Sequence, residues 1–190
     1  MKSKFYKEQE TVDQYIKMAQ EHDGANIIEK LKPYLNKEDQ ILELGSGPGS
    51  DFKILSQDYS VIGSDYSDEF IKRLKALYPN EKFLNLDAIT LSTDLNFNAI
   101  YSNKVLHHLE DEELQACIVR QAVVLRPNGI ICHTFWKGNG TEDFNGMFVN
   151  NHKEEELKDL FYDLFEVLEL QSYKEFEEGD SILVIAKKKN

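Results

Sequence analysis

The sequence predicts an α/β fold built on a mostly parallel sheet. Strand-length apolar runs alternate with helical stretches from Gln40 to Phe135, the order in which parallel strands are joined by crossover helices. The run Ile130 to Phe135 is mostly apolar, as in a strand covered on both faces. The first run ends in the turn Gly45-Ser46-Gly47-Pro48-Gly49, which leads directly into a helix.

Each element has its own signal. Around residues 10–35 the apolar positions Val12, Ile16, Ala19 and then Ile27, Ile28, Leu31 recur at helical spacing, interrupted at His22-Asp23-Gly24 and stopped near Pro33 to Asn36. Gln40 to Leu44 reads as the first strand, Ser50 to Gln57 as a helix and Ser60 to Ser64 as the second strand. Ser67 supplies a cap, and Asp68 and Glu69 first-turn acids, for a helix reaching Tyr78, where Pro79-Asn80 ends it. Lys82 to Leu86 and Phe97 to Tyr101 are the third and fourth strands. From Asp111 to Leu125 the apolar residues Leu114, Cys117, Ile118, Ala122 and Leu125 share one helix face, and Arg126-Pro127-Asn128-Gly129 reads as a break before the fifth strand. Gly138 to Gly146 reads as a loop, Lys153 to Phe161 as a helix, and Phe165 to Tyr173 with Asp180 to Lys187 as a hairpin turning at Glu177-Glu178-Gly179-Asp180.

Bulk properties narrow the function classes. With 190 residues, 41% hydrophobic and 29% charged, the chain reads as one globular domain, 1–190, with a helical cover over 1–36 and the sheet core over 37–190. A net charge of −12 opposes a phosphate backbone, so no nucleic-acid partner is expected. Cys117 and Cys132 form no CxxC and have no His or Cys at metal-site spacing, so no metal is expected and both thiols are read as free. No run is long and apolar enough for a membrane span or a signal-peptide core, and the expected location is cytoplasmic.

The glycine loop marks a ligand site. Gly45, Gly47 and Gly49 permit positive φ and remove the Cβ atoms that would hold a ligand away. The loop follows the carboxyl end of a parallel strand, where ligands sit in open α/β sheets, and a helix start suits an anion. A Walker loop is excluded, since no Lys-Ser or Lys-Thr follows, and the dinucleotide pattern G-x-G-x-x-G fits except that Ser50 takes the last place. Asp65 ends the second strand at the distance where an acid takes both hydroxyls of a ribose, and Tyr66 can lie against an adenine. These features suit a dinucleotide or any adenosine ligand.

In order along the chain, "ILELGSGPG", "VIGSDYS", "FLNLDAIT", "FNAIYSNKVLHHL" and "VLRPNGIICHTF" resemble the motifs of the class I S-adenosylmethionine-dependent methyltransferases. The resemblance covers Ile41 to Phe135. It implies a seven-stranded, mostly parallel, twisted sheet of order 3-2-1-4-5-7-6, closed by an antiparallel hairpin, with helices on both faces. It implies S-adenosyl-L-methionine as cofactor and S-adenosyl-L-homocysteine as product. Gly45, Ser46, Gly47 and Gly49 would then form the seat of the methionine part, whose anion is a carboxylate, with Glu43 near its amino group. Asp65 would hold the ribose and Tyr66 flank the adenine, Asp87 and Ala88 would meet the adenine edge, and Ser102 would pass under the amino group with Asn103 beside it.

The catalytic residues are left open. His107 and His108 are weak candidates, because neighbours in a turn point apart and chelate poorly, and Tyr6 is a third. Tyr15, His133 and Trp136 are candidates to face the substrate. Methyl transfer needs alignment more than acid–base chemistry, which accounts for the absence of a strong catalytic constellation. The fourth strand ends in "YSNK", without the run of amino-group DNA methyltransferases and without a Cys nucleophile. The expected acceptor is therefore a small molecule with an O, N or S nucleophile. Two rivals stay open: a silent S-adenosylmethionine-binding module and an NAD-dependent oxidoreductase.

Overall fold

A computed structural model describes residues 9–19, 23–144 and 146–190. The helices are α1 (Gln9–Ala19), α2 (Ala25–Leu31), α3 (Ser50–Leu55), α4 (Asp68–Leu77), α5 (Asp111–Val124) and α6 (Glu154–Tyr162). The strands are β1 (Gln40–Leu44), β2 (Ser60–Asp65), β3 (Lys82–Asn85), β4 (Phe97–Ser102), β5 (Leu125–Trp136), β6 (Thr141–Phe144), β7 (Met147–Asn150), β8 (Phe165–Tyr173) and β9 (Ser181–Lys188). Seven strands form one sheet in the order β3-β2-β1-β4-β5-β9-β8. Those from β3 to β5 pair in parallel, while β9 runs antiparallel to β5 and to β8. This is the expected order, with β6 and β7 inserted ahead of the last two strands as a separate hairpin.

Alternation along the strands divides the core into two layers. Leu42, Ile100, Ile131 and Val184 face one way and pack with Leu114 and Ile118 of α5 and Leu157 and Phe161 of α6. Ile41, Ala99, Cys132 and Leu183 face the other way and pack with Ile28 and Leu31 of α2, Phe52 of α3 and Leu74 of α4. Helices therefore cover both faces of the sheet. Cys117 and Cys132 are free and buried. No helix among the described residues is long and apolar enough to cross a membrane.

Local chemistry sets the helix boundaries. Ser67 Oγ accepts the Phe70 N–H and caps α4, as its sequence predicts. Glu110 and Glu113 form a reciprocal capping box at α5.

Two expectations are corrected. Arg126 to Gly129 does not break the chain between helix and strand: β5 begins at Leu125, which pairs with Phe97, and the register shifts before Ile130 pairs with Ala99. Asn128, at φ 62, absorbs the bend inside the strand. The stretch read as a loop, Gly138 to Gly146, contains β6, which pairs with β7 directly after it, from Thr141–Asn150 to Phe144–Met147.

Candidate functional site

The site begins where β1 ends. Gly45 and Gly47 turn the chain at φ 68 and φ 48, a region costly for residues with a Cβ. A Cβ at Gly45 would lie 2.5 Å from Val105 Cγ2, whereas at Gly47 it would meet only ordinary contacts, Tyr15 Cε1 at 3.8 Å and Gly45 O at 3.9 Å. Gly47 is thus the point where the loop backbone is approachable. Gly49, at φ 88, serves a different end: its missing Cβ admits Leu74 Cδ2 of α4, so it packs α3 rather than seating a ligand. At six residues α3 is short and its dipole is small, and the Ser46, Gly47 and Gly49 N–H groups donate to Ser64 O, Asp65 Oδ2 and Ser46 O, so these loop amides do not supply the anion seat expected there.

Two acids meet this loop. Glu43 is 2% exposed, accepts the Ser46 hydroxyl at 2.5 Å, and is pushed by burial up to about 8. Ser46 Oγ also accepts the Ser64 N–H, so its hydroxyl belongs to the frame and only its backbone can face a ligand. Asp65 Oδ2 accepts the Gly47 N–H at 2.9 Å, and Asp65 Oδ1 accepts the Ser67 N–H at 2.8 Å. Burial raises the Asp65 carboxyl to about 6, with the backbone N–H groups opposing that rise.

A cavity of about 730 Å³ opens beside them, the size of a ligand pocket. Among the predicted residues Glu43, Gly45, Ser46, Gly47, Asn103, Tyr15, His107, His108 and Trp136 line it. Asp65, Tyr66, Asp87 and Ala88 do not; they sit at the ends of β2 and β3, on the far side of the loop. Asp87 Oδ1 accepts the Ile89 N–H there and Tyr66 is 39% exposed. Tyr15 lies edge-on to Phe70, with ring centroids 5.9 Å apart. Burial, together with Asp65 and Asp51, raises its phenol to about 12, so it is neutral and acts as a wall. Tyr6 lies outside the described residues.

Two candidates are corrected. His133 is fully buried, with Nε2 2.7 Å from Gln121 Oε1 and Nδ1 2.8 Å from Ser102 Oγ. The amide oxygen only accepts, so Nε2 carries the proton and Nδ1 accepts the Ser102 hydroxyl. Burial lowers this imidazole to about 3. His133 has no surface to offer a substrate, and the Ser102 side chain is sealed in the same network. The alternation of β5 turned His133 inward while its neighbour Trp136 reached the cavity.

The histidine pair also differs from expectation. His107 and His108 lie in a 3₁₀ turn, Leu106–His108, with rings at 4.1 Å and 55° rather than pointing apart. His108 Nδ1 lies 2.6 Å from the Phe148 carbonyl, so it donates there and ties β7 to the turn. His107 Nδ1 is buried without a hydrogen-bond partner, and burial with the adjacent His108 holds this ring well below its ordinary range, hence neutral. Among the described residues no cluster of three or more His, Cys, Asp or Glu could hold a metal.

Sequence reasoning missed Asp51 and Lys104, both in the cavity wall. Asp51 accepts from Gly24 N–H at 2.6 Å, Tyr101 Oη at 2.7 Å and Asn103 Nδ2 at 3.1 Å. Thr134 Oγ1 donates to Asn103 Oδ1 and accepts the Lys104 N–H, so a continuous chain of hydrogen bonds fixes the end of β4. Lys104 has φ 54, and its Nζ donates to Phe135 O and Ser181 Oγ and lies 3.4 Å from the Trp136 ring centroid. Burial lowers this ammonium to about 7. A positive φ at a lysine in a cavity was the available signal, and it exists only in three dimensions.

Residues 41–129 match a family model described as a methyltransferase domain. Over nearly its whole length the chain is similar to a 1,6-didemethyltoxoflavin-N1-methyltransferase from Burkholderia thailandensis, solved with 1,6-didemethyltoxoflavin and S-adenosylhomocysteine. The TM-score is 0.78 at 19% identity, covering 94% of this chain and 83% of that one. An amino pentose methyltransferase of calicheamicin biosynthesis from Micromonospora echinaspora, solved with S-adenosylmethionine, gives a TM-score of 0.76 at 12% identity, covering 94% and 97%. An S-adenosylmethionine-dependent methyltransferase from Clostridium acetobutylicum gives 0.75 at 14% identity, covering 93% and 99%. At these identities the likeness is one of fold.

Proposed function

We propose that the chain is a class I S-adenosylmethionine-dependent methyltransferase, a reading supported by the methyltransferase-domain match over residues 41–129 and by the shared fold, and that it transfers the methyl group of S-adenosylmethionine to an O, N or S nucleophile of a small molecule. One observation carries the reading: the carboxylate of Asp65, at the end of β2, accepts the Gly47 N–H at 2.9 Å, and Gly47 itself lines the cavity together with Glu43. The Gly47, Ser67 and Tyr66 N–H groups hold the Asp65 carboxylate in place, and a carboxylate has acceptor capacity left for a ribose hydroxyl. Tyr66 beside it is exposed enough to lie on an adenine, and Asp87 and Ala88 at the end of β3 are in the position to meet its edge. The buried Glu43 carboxyl suits an amino acid's ammonium.

When bound, the cofactor supplies a methyl carbon on a sulfonium whose thioether leaves without a proton. The protein's task is then orientation and exclusion of water. Asn103, locked between Thr134 and Asp51, and Tyr15 over Gly47 form the rigid walls for this, and neutral His107 offers a polar contact without a charge.

Calorimetric titration with S-adenosylhomocysteine and with NAD tests the reading. S-adenosylhomocysteine should bind and NAD should not. Asp65→Ala should weaken binding by roughly 1.5–3 kcal/mol, about ten- to a hundred-fold. An unchanged dissociation constant in that variant would remove Asp65 from the site.

A further inference from the structure

Away from the glycine loop the cavity wall changes character. Phe144 of β6 and Phe176 of the β8–β9 connection line it and are 55% and 56% exposed. Phe176 stacks with Trp136, centroids 5.8 Å apart at 21°. The charged lining residues are unequal in sign. Lys137 is committed to Glu154 Oε1 at 3.1 Å and Ser172 Oγ at 2.7 Å. Lys104 is committed to Phe135 O, Ser181 Oγ and the Trp136 face, and burial weakens its hold on its proton. Asp180 is likewise committed, accepting the N–H groups of Glu175, Phe176 and Glu177. That nest fixes the loop so that Glu175 and Glu177 line the cavity, opposite Glu142 of β6. None of the three is within ion-pair distance of a cation among the described residues; Glu175 acts on the buried Lys104 from farther away, and Glu142 Oε1 accepts the Asn151 amide at 3.0 Å, so Glu177 is the least compensated.

Resting on the methyltransferase reading, we propose that the acceptor is an amine, cationic at neutral pH and carried on a flat apolar body. Phe144 and Phe176 take the body, and Glu142, Glu175 and Glu177 draw in the ammonium. Two elements far apart in sequence bring carboxylates to one rim with aromatic rings between them, the combination that selects an organic cation. The bound ammonium first loses a proton to water at the carboxylate rim, which exposes its lone pair. The nitrogen then forms the N–C bond as the C–S bond breaks, its electron pair staying on sulfur. The N-methyl ammonium so formed releases a second proton if the product leaves neutral. Amine and sulfonium become methylamine and thioether with net loss of one proton, and no other reactant is required.

The test begins by confirming S-adenosylhomocysteine binding by calorimetry. The loaded protein is then titrated with phenethylamine and tryptamine, and with 3-phenylpropionate and indole-3-propionate, which match them in shape and reverse the charge. The amines should bind at least about ten-fold tighter at low salt, with the preference shrinking at higher ionic strength. In a combined Glu142→Gln, Glu175→Gln, Glu177→Gln variant that still binds S-adenosylhomocysteine, the preference should fall severalfold. Equal or reversed preference, no binding of either class, or an unchanged preference in the variant overturns the inference while leaving the cofactor reading intact. Failure to bind S-adenosylhomocysteine at the first step overturns the reading beneath it.

Discussion

Glu43 is a carboxyl held where a charge is costly, with the Ser46 hydroxyl and the Phe52 N–H as partners and two further acids, Asp51 and Asp65, adding to the cost. Its folded value of about 8 lies above the ordinary 4.5. Between those limits the folded state binds more protons than the unfolded one, so the Glu43 contribution to stability falls as pH rises through the window. Glu43→Gln keeps an acceptor for Ser46 and removes the titration. Relative to the parent, the free variant should therefore gain melting temperature steadily from about pH 5 to pH 8. A difference that is flat with pH would show that Glu43 ionises freely. The same substitution should weaken S-adenosylhomocysteine binding, because an ammonium beside Glu43 is met by an amide instead of a carboxylate. Binding to the parent at pH 7 should also release a proton, read as a dependence of the calorimetric enthalpy on the buffer.

The β6–β7 hairpin illustrates what an element can do that its residues do not announce. Gly138, Gly140 and Gly146 punctuate the segment, and its first strand is exposed at all four positions, so no alternating pattern was available to identify it. Its place is set from outside by the His108 donation to Phe148 O and by Asn150 Nδ2 donating to Leu109 O and Asp111 Oδ1. His108 is thus a strut for the cavity wall rather than a base. His108→Ala should lose about 1 kcal/mol of hydrogen bonding and loosen the hairpin. The kinetic consequence should be a KM for the acceptor raised several-fold, with kcat and the S-adenosylhomocysteine dissociation constant little changed; a loss confined to kcat would restore His108 as a chemical participant. By contrast β1 to β4, α4 and the closing β8–β9 hairpin were legible in sequence, because burial imposes period and composition on them. Lys104 and Asp51 were not. Their roles depend on a positive φ and on partners as distant as Gly24, Tyr101 and Ser181, which spacing cannot reveal.

Across the whole molecule the net charge of −12 is unevenly placed. The triplets Asp111-Glu112-Glu113 and Glu154-Glu155-Glu156 occupy the first turns of α5 and α6, where helix dipoles offset them. Glu142, Glu175 and Glu177 lie outside helix first turns and line the cavity, with Lys104 offsetting Glu175 in part. A concave site with low-dielectric walls concentrates the field of such charges and steers cations toward it. The cofactor and its product differ in this respect, since S-adenosylmethionine carries one positive charge more than S-adenosylhomocysteine. The affinity of the cationic form should therefore fall more steeply as ionic strength rises from about 20 mM to about 300 mM, a range over which the Debye length shrinks from roughly 20 Å to roughly 6 Å. Its association rate should show most of the change, with dissociation nearly constant. Stopped-flow measurement of both ligands at the two salt concentrations decides the matter. Equal salt dependence of the two would mean that the rim carboxylates are screened in the resting protein and that the cavity exerts no long-range pull on its cofactor.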